Sequence, residues 1–309
     1  MLRLVNYQIV IIMQSNTFLH IYDCSTFLNN FDVRCAKKMK KSDDVLPLFR
    51  FENLSGISNL AHFITTRSGG VSLPPYNSLN LGLHTNDNPV HVLTNRKLLV
   101  VKTGIAEDRF LYASQVHSGD VKIIDKTAIE KGVLSNNPRT DATITGLTGI
   151  CLMVMVADCV PLLLFDPVKR VSAVIHAGWR GTVHKITSNT ICAMAEHFGS
   201  DPADILAGIG PSIGPCCYEV GEDVKEFVTQ SFGTTKGYLV QKNPVSKPHF
   251  DLWYANHKQL TDNGVKPENI ETAELCTRCH SDIFFSSRAS GGITGRSAAG
   301  ICMLPFEKQ

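Results

Sequence analysis

The chain has 309 residues, 43% of them hydrophobic and 19% charged, with a formal net charge of +2. That length suits one large domain or two ordinary ones with a packed core. The charge balance, with no long basic run, argues against nucleic acid as the main partner. No stretch of 18 or more uninterrupted apolar residues occurs, so no transmembrane helix and no membrane partner are expected. Ten cysteines in so long a chain do not form the framework of a small secreted domain. They read as reduced thiols of a cytoplasmic protein, one or two of them available to bind metal or react.

Residues 1–44 differ from the rest. Their apolar run at 9–13 is not followed by a small-residue cleavage pattern, so it does not read as a signal peptide. Cys24, Cys35 and the basic cluster Lys37-Lys38-Met39-Lys40-Lys41 show no periodicity. The segment reads as a disordered extension, or as the product of a start placed too early, with Met39 as the true start. Residues 45–309 read as a single domain.

Within it, strands are expected at 49–54 and 61–66, the second ending at Arg67-Ser68-Gly69-Gly70. Asp87-Asn88-Pro89 opens a helix that Gly104 stops, with Val90, Leu93, Lys97 and Val101 along one face. A strand at 111–115 delivers Val116-His117-Ser118-Gly119, and another follows at 121–124. The centre of the chain is 149–181. Its runs 150–156, 160–165 and 171–175 are short, uncharged and rich in β-branched residues, as buried strands should be. Asp158-Cys159 separates the first two runs, the turn Asp166-Pro167-Val168-Lys169-Arg170 the next two. The third ends at His176-Ala177-Gly178-Trp179-Arg180-Gly181. A hairpin of the last two runs would bring Cys159 and His176 together.

Val183, Ile186, Thr190, Ile191, Met194 and Phe198 then mark a helix capped by Gly199. A strand at 206–209 runs into Gly210-Pro211-Ser212-Ile213-Gly214-Pro215-Cys216-Cys217. A helix at 220–232, a loop at 233–249, a helix capped by Asp251, a cysteine-bearing loop with a strand at 283–286, and a last strand at 298–304 complete the order. Strands and helices mix without a regular βα rhythm, which favours an α+β fold of mixed sheets flanked by helices over a barrel.

His117, Cys159 and His176 each end a short apolar run. Two imidazoles and a thiolate suit zinc, and three protein ligands with an open position define a catalytic site. The competing readings are two ordinary polar histidines beside a small apolar cysteine, or a Cys159 nucleophile with His176 as base and no metal. Arg67, Arg180, Arg288 and Arg296 sit among Gly and Ser, where a guanidinium suits phosphate or carboxylate. Trp179 is a ring for stacking or for the core. Cys276-Thr277-Arg278-Cys279-His280 matches the haem-attachment pattern C-x-x-C-H, but haem attachment needs export. Cys216 and Cys217 are candidates to complete a second zinc site with it, yet adjacent cysteines make poor paired ligands. The plainer reading is a packed loop of reduced thiols.

Several segments occur together in order: Thr65-Thr66-Arg67-Ser68-Gly69-Gly70-Val71-Ser72, Ser78-Leu79-Asn80-Leu81-Gly82, Gln115-Val116-His117, Ala157-Asp158-Cys159, 176–181 and Gly210-Pro211-Ser212-Ile213, with Cys276-Thr277, Ser287-Arg288 and Gly295-Arg296 after them. Over about residues 46–305 the chain resembles the YfiH-type family, also called multicopper polyphenol oxidase or laccase-domain proteins and regarded as purine nucleoside phosphorylases. The resemblance implies mixed sheets between helical layers, with zinc on His117, Cys159 and His176. It implies phosphate cleavage of adenosine, inosine or methylthioadenosine to free purine and a ribose 1-phosphate, with adenosine deamination as a second activity. Arg67 would then bind phosphate or the ribosyl group, Asn80 would hydrogen-bond the substrate, and Arg180 is a further candidate for phosphate. Copper on the His₂Cys set and a polyphenol oxidase activity form one alternative, although none of the eleven histidines forms an H-x-H pair. A metal-independent cysteine hydrolase of cell-wall precursors is another, and a binding protein that keeps only the pocket is a third.

Overall fold

Uninterrupted apolar runs call for strands covered on both faces, and the computed structural model contains them. It describes residues 40–41, 45–241, 243 and 245–305, all within one compact unit, Val33–Gln309. The segment expected to be an extension, 1–44, lies outside the described residues except for 40–41.

The first six-stranded sheet runs in the order β1 (Lys40–Lys41), β2 (Leu48–Arg50), β3 (Leu60–Thr65), β14 (Ser297–Met303), β7 (Cys151–Val156) and β4 (Phe110–Tyr112). The second runs β13 (Ile270–Thr272), β10 (Leu206–Ile209), β8 (Val160–Asp166), β9 (Val171–Ala177), β6 (Ala142–Thr145) and β5 (Val121–Ile123). Both are mixed: β4 pairs β7, β13 pairs β10 and β5 pairs β6 in parallel, the other neighbours antiparallel. A small pair, β11 (Leu239–Val240) and β12 (His249–Phe250), stands apart. The helices are α1 (Glu52–Ser55), α2 (Pro89–Thr103), α3 (Lys126–Glu130), α4 (Trp179–Val183), α5 (Ile186–Phe198), α6 (Glu222–Phe232) and α7 (Leu252–Asp262).

Side-chain alternation explains why β7, β8, β9 and β14 are buried at every position. Leu163, Phe165 and Val174 of the second sheet meet Leu152, Val154, Ala299 and Ile301 of the first between the sheets. Leu162, Leu164, Ala173 and Ile175 point the other way, onto Ile191 and Met194 of α5, Val228 of α6 and Leu260 of α7. Met153, Ala298 and Cys302 cover the outer face of the first sheet with Leu99 of α2. The expected α+β fold, mixed sheets layered between helices, is therefore present.

Four expectations need correction. The strand expected at 49–54 ends at Arg50, because Asn53 turns inward in α1 to donate to the Ala207 and Asn269 carbonyls. The buried face of α2 is Val92, Asn95 and Leu99, whereas Val90, Leu93 and Val101 are exposed. Asn95 misleads a hydrophobicity count: it is fully buried because its side chain bonds Val71 N, Ser72 Oγ and the Ser78 and Asn80 carbonyls. The helix after 181 breaks at His184-Lys185, where Lys185 takes a left-handed φ of 58°. Residues 283–286 are turn and coil, held to the body by Arg67 N donating to Ile283 O.

One connection matters most for the site. The runs 150–156 and 160–165 are consecutive in sequence, but β7 lies in the first sheet and β8 in the second. Ala157-Asp158-Cys159 makes the crossing, with Asp158 at φ 86°. The sheets meet closely where side chains are absent: a Cβ on Gly208 would sit 2.3 Å from the ring of the fully buried Phe51. Gly208→Ala is therefore expected to overpack the core and cost about 1–3 kcal/mol. Urea denaturation at fixed metal content checks this; an unchanged midpoint contradicts it.

Candidate metal and active site

The β8–β9 register sets the first half of the site. Val160 pairs Ala177 and Pro161 pairs His176, which leaves Cys159, one residue before β8, beside the imidazole of His176. The hairpin expectation is met. His117 arrives from the loop between β4 and β5. Its Nε2 lies 3.9 Å from Cys159 Sγ, and its ring stands edge-on to that of His176, with centroids 4.8 Å apart. The three donor atoms lie within 4.8 Å of one another. His117 is exposed, Cys159 partly buried and His176 buried, so the trio is open on one side.

A residue outside the candidate set orders its two histidines. Asp141, fully buried, opens β6. Its carboxylate accepts the backbone N–H groups of Val116, His117 and Ser118 at 3.2, 3.0 and 2.7 Å and the Ser118 hydroxyl at 3.0 Å. Three successive amides turned onto one anion form a nest, and His117 sits at its centre with φ 59°. The same carboxylate lies 2.8 Å from His176 Nδ1, and the Asp141 carbonyl accepts His176 N–H at 2.7 Å. One aspartate thus orients both histidines and leaves His176 Nε2 for the site, as the outer partner of a metal-binding histidine does. The signal was present in the sequence: an aspartate immediately before a strand without charged residues, Ala142–Thr145, needs partners once it is buried.

Protonation follows from the same contacts. Burial opposes the Asp141 charge, but the bonds from His176 and the loop amides outweigh it and bring its pKa to about 2. Burial likewise opposes the Cys159 thiolate; the neighbouring His176 charge and the His117 contact outweigh it and bring that pKa to about 6. Burial would lower His176, but the Cys159 thiolate and Asp141 raise it to about 9. In the metal-stripped chain the pair is thus thiolate and imidazolium across neutral pH. Asp141, depressed, adds stability that is present above its unfolded value near 4 and lost as pH falls towards 2. His176, raised, adds stability that is present below about 6.5 and lost as pH rises through about 9.

The donor set fits a metal ion. Two imidazole nitrogens and a readily deprotonated sulfur are borderline-soft ligands, and their separations suit one ion. Gly178 leaves the room: a Cβ there would come within 3.0 Å of both Cys159 Sγ and the His117 ring.

The remaining candidate residues are distributed differently. Arg67 donates to Asn77 O at 2.9 Å and Ser281 O at 2.6 Å, and stacks on Phe285 at 5.1 Å. Asn80 is fully buried and satisfied within the protein: its amide nitrogen donates to Thr85 and Asp87, its oxygen accepts Gly82 N and Arg296 N. Arg180 is exposed, its guanidinium stacked on Trp179 at 4.3 Å. Asp158 accepts the Thr277 hydroxyl at 2.6 Å and Arg288 N at 2.7 Å. A cavity of about 360 Å³ opens beside it, lined by Ala157, Asp158, Ile213, Tyr218, Ser287, Arg288 and Gly291. Burial pushes the Tyr218 phenol well above its usual range, so it stays protonated. Neither Asp158 nor Tyr218 was singled out by the sequence.

Comparison with known proteins gives the family. The family model described as multi-copper polyphenol oxidoreductase laccase matches residues 61–304, and the chain belongs to that family, which includes the YfiH and YlmD proteins. A purine nucleoside phosphorylase of Bacteroides thetaiotaomicron is 36% identical over 254 residues, covering 81% of this chain and 94% of that protein. Adenosine deaminase RL5, from an unknown prokaryotic organism, is 32% identical over 260 residues, covering 83% and 99%. The crystal structure of YlmD from Geobacillus stearothermophilus matches with a TM-score of 0.79 at 30% identity, covering 86% of this chain and 99% of that one. Among the described residues no helix is long and apolar enough to cross a membrane.

Asp141→Asn should leave the fold in place and weaken metal binding about 10–100-fold, because an amide cannot accept from three backbone N–H groups and a histidine at once. Competition with a chelator measures this; unchanged affinity contradicts the role of Asp141. In the metal-stripped chain, alkylation of Cys159, followed by peptide mass mapping, should rise with pH through about 6 and then level off, since only the thiolate reacts. A rise centred near 9 contradicts the assigned ionisation.

Proposed function

We propose that this chain is a zinc-dependent purine nucleoside phosphorylase. Phosphate attacks the anomeric carbon of adenosine, inosine or methylthioadenosine, and the bond to the purine nitrogen breaks. Free purine and ribose 1-phosphate, or its methylthio counterpart, are released. The observation that carries the reading is the His117–Cys159–His176 trio, open on one side, next to a cavity whose wall begins at Ala157 and Asp158. The cavity's volume lies at the lower end of the range for small-molecule sites, which suits a nucleoside.

His117, Cys159 and His176 would hold the ion, and Asp141 would fix the imidazoles. When bound, zinc would supply a Lewis acid that polarises an oxygen or nitrogen of the substrate. The chain's own residues do the rest. Tyr218 keeps its proton and donates a hydrogen bond to the purine or the sugar. Asp158, fixed by Thr277 and Arg288 N, sets the wall against which the nucleoside lies. Arg180 and Arg288 are the guanidinium groups we assign to phosphate, Arg180 because it is exposed and within electrostatic reach of the cavity's Tyr218, and Arg288 because it lines the cavity. Arg296, within electrostatic reach of Cys159 and Asp158, adds positive charge. Arg67 and Asn80 we assign to holding the loops around 77–82 and 281–296 in register, since their donors and acceptors are spent on those loops.

A second reading, adenosine deamination, is supported by the likeness to adenosine deaminase RL5 and by the His117–Cys159–His176 set; both activities would share the site. The decisive assay incubates the purified, zinc-loaded protein with adenosine, with and without phosphate. Adenine and ribose 1-phosphate should form only with phosphate, and Cys159→Ala should lose the ion and about 100-fold or more of the rate. Inosine formed without phosphate identifies the deaminase activity. Turnover that needs Cys159 yet ignores both phosphate and chelators overturns the proposal in favour of a cysteine hydrolase. Copper-dependent oxygen consumption with a polyphenol, in place of nucleoside cleavage, overturns it in favour of an oxidase.

A further inference from the structure

Four sulfurs outside this centre converge as well. Cys216 and Cys217 follow β10, and Cys276 and Cys279 follow β13. Those strands are parallel neighbours, so both segments leave the same end of the sheet. The pairing continues past the strands: Ser212 bridges Cys276, Ser212 N donates to Leu275 O at 3.2 Å, and Thr277 N donates to Ser212 O at 3.0 Å. A turn then reverses the chain at Cys216-Cys217, with Cys217 N and Tyr218 N both donating to Gly214 O at 2.9 and 3.0 Å. A second turn, closed by His280 N donating to Cys276 O at 2.9 Å, returns Cys279 towards them. Cys279 Sγ ends 3.7 Å from Cys216 Sγ and 3.4 Å from Cys217 Sγ, and all four sulfurs lie within 4.8 Å of one another. Adjacent cysteines, expected to make poor paired ligands, here both face one centre because of this turn.

We propose that Cys216, Cys217, Cys276 and Cys279 hold a single structural zinc ion, separate from the His117–Cys159–His176 centre. Sulfurs at about 2.3 Å from a tetrahedral zinc are roughly 3.8 Å apart, close to the separations here. An iron–sulfur cluster binds its cysteines to different iron atoms and needs them farther apart. Four protein ligands leave no open position, which makes the site structural rather than catalytic. Binding releases the thiol protons and leaves excess negative charge on the sulfurs. Two groups meet it: Gly214 N–H points at Cys276 Sγ at 3.3 Å, and the Arg278 guanidinium stands near Cys217.

The position gives the ion a role. The 210–218 segment carries Ile213 and Tyr218 to the cavity wall, and the 275–288 segment carries Thr277 to Asp158 and Arg288 to the cavity. The ion joins the two segments, so it fixes one wall of the pocket without touching the reacting atoms.

The assignment rests on the four sulfurs and is independent of the phosphorylase reading. The test counts zinc in the full-length chain purified under reducing conditions. Wild type should carry two ions per chain, Cys159→Ser one, and the Cys216→Ser/Cys279→Ser double variant one. Because that double variant risks misfolding, the Cys159→Ser chain loaded with cobalt(II) provides a second readout: it should show intense sulfur-to-cobalt charge-transfer absorption from the remaining four thiolates. These readouts stand even if no nucleoside is cleaved. One zinc per wild-type chain with no such absorption in Cys159→Ser overturns the proposal. So does iron in place of zinc, or a disulfide among the four cysteines in the reduced preparation.

Discussion

The buried carboxylate of Asp141 is the constraint on which the site depends. An aspartate with no solvent contact is costly unless its charge is fully hydrogen-bonded, and here the bonds come from the groups that must be ordered. The loop amides at Val116, His117 and Ser118 satisfy one side, and His176 Nδ1 the other. The left-handed backbone at His117, unfavourable for a side-chain-bearing residue, is the conformation that turns successive amides onto one anion. Strain at one residue and burial of one charge offset each other, and the result is two imidazoles held edge to face.

The two-sheet architecture supplies the third member of the trio. A chain that stayed in one sheet from β7 to β8 would place the connecting residues in a solvent-exposed turn. Crossing instead from one sheet to the other carries Asp158 and Cys159 to the place where the sheets, the loop after β4 and the segments after β10 and β13 come together. Asp158 then anchors the far segments through Thr277 and Arg288. The two buried aspartates divide the work: Asp141 orders the histidine side, Asp158 the cavity side. Four-layer packing makes both positions rigid, since a shift of either sheet would have to move cores on both of its faces.

Much of this was legible in the sequence, and the limits have physical causes. The central strands were readable because burial on both faces leaves unbroken apolar runs, and α2, α5 and α7 because their caps, Asn88, Gly104, Gly199 and Asp251, follow local rules. The His117, Cys159 and His176 positions stood out as polar groups ending apolar runs. What local pattern could not reveal was partnership over long separations. Asn95 lies off the face that apolar spacing picks out on α2, and the four partners that bury it lie 15 to 24 positions away. Arg67 and Asn80, which the family resemblance puts forward as ligand-binding groups, make their polar contacts within the protein, in part to Ser281 and Arg296, more than 200 positions away. Adjacent Cys216 and Cys217 read as poor paired ligands, and the parallel pairing of β10 with β13, which brings them to Cys279 across about 60 residues, is not a local property.

The central claim is that His117, Cys159 and His176, oriented by Asp141, enclose one metal ion beside the nucleoside cavity. A crystal of the protein purified with zinc, measured on both sides of the zinc absorption edge, tests it most directly. The account predicts an anomalous peak bounded by Cys159 Sγ and one ring nitrogen from each of His117 and His176, with Asp141 still bonded to His176 Nδ1. A well-ordered trio with no anomalous density between its members, in protein that carries zinc elsewhere, would contradict it.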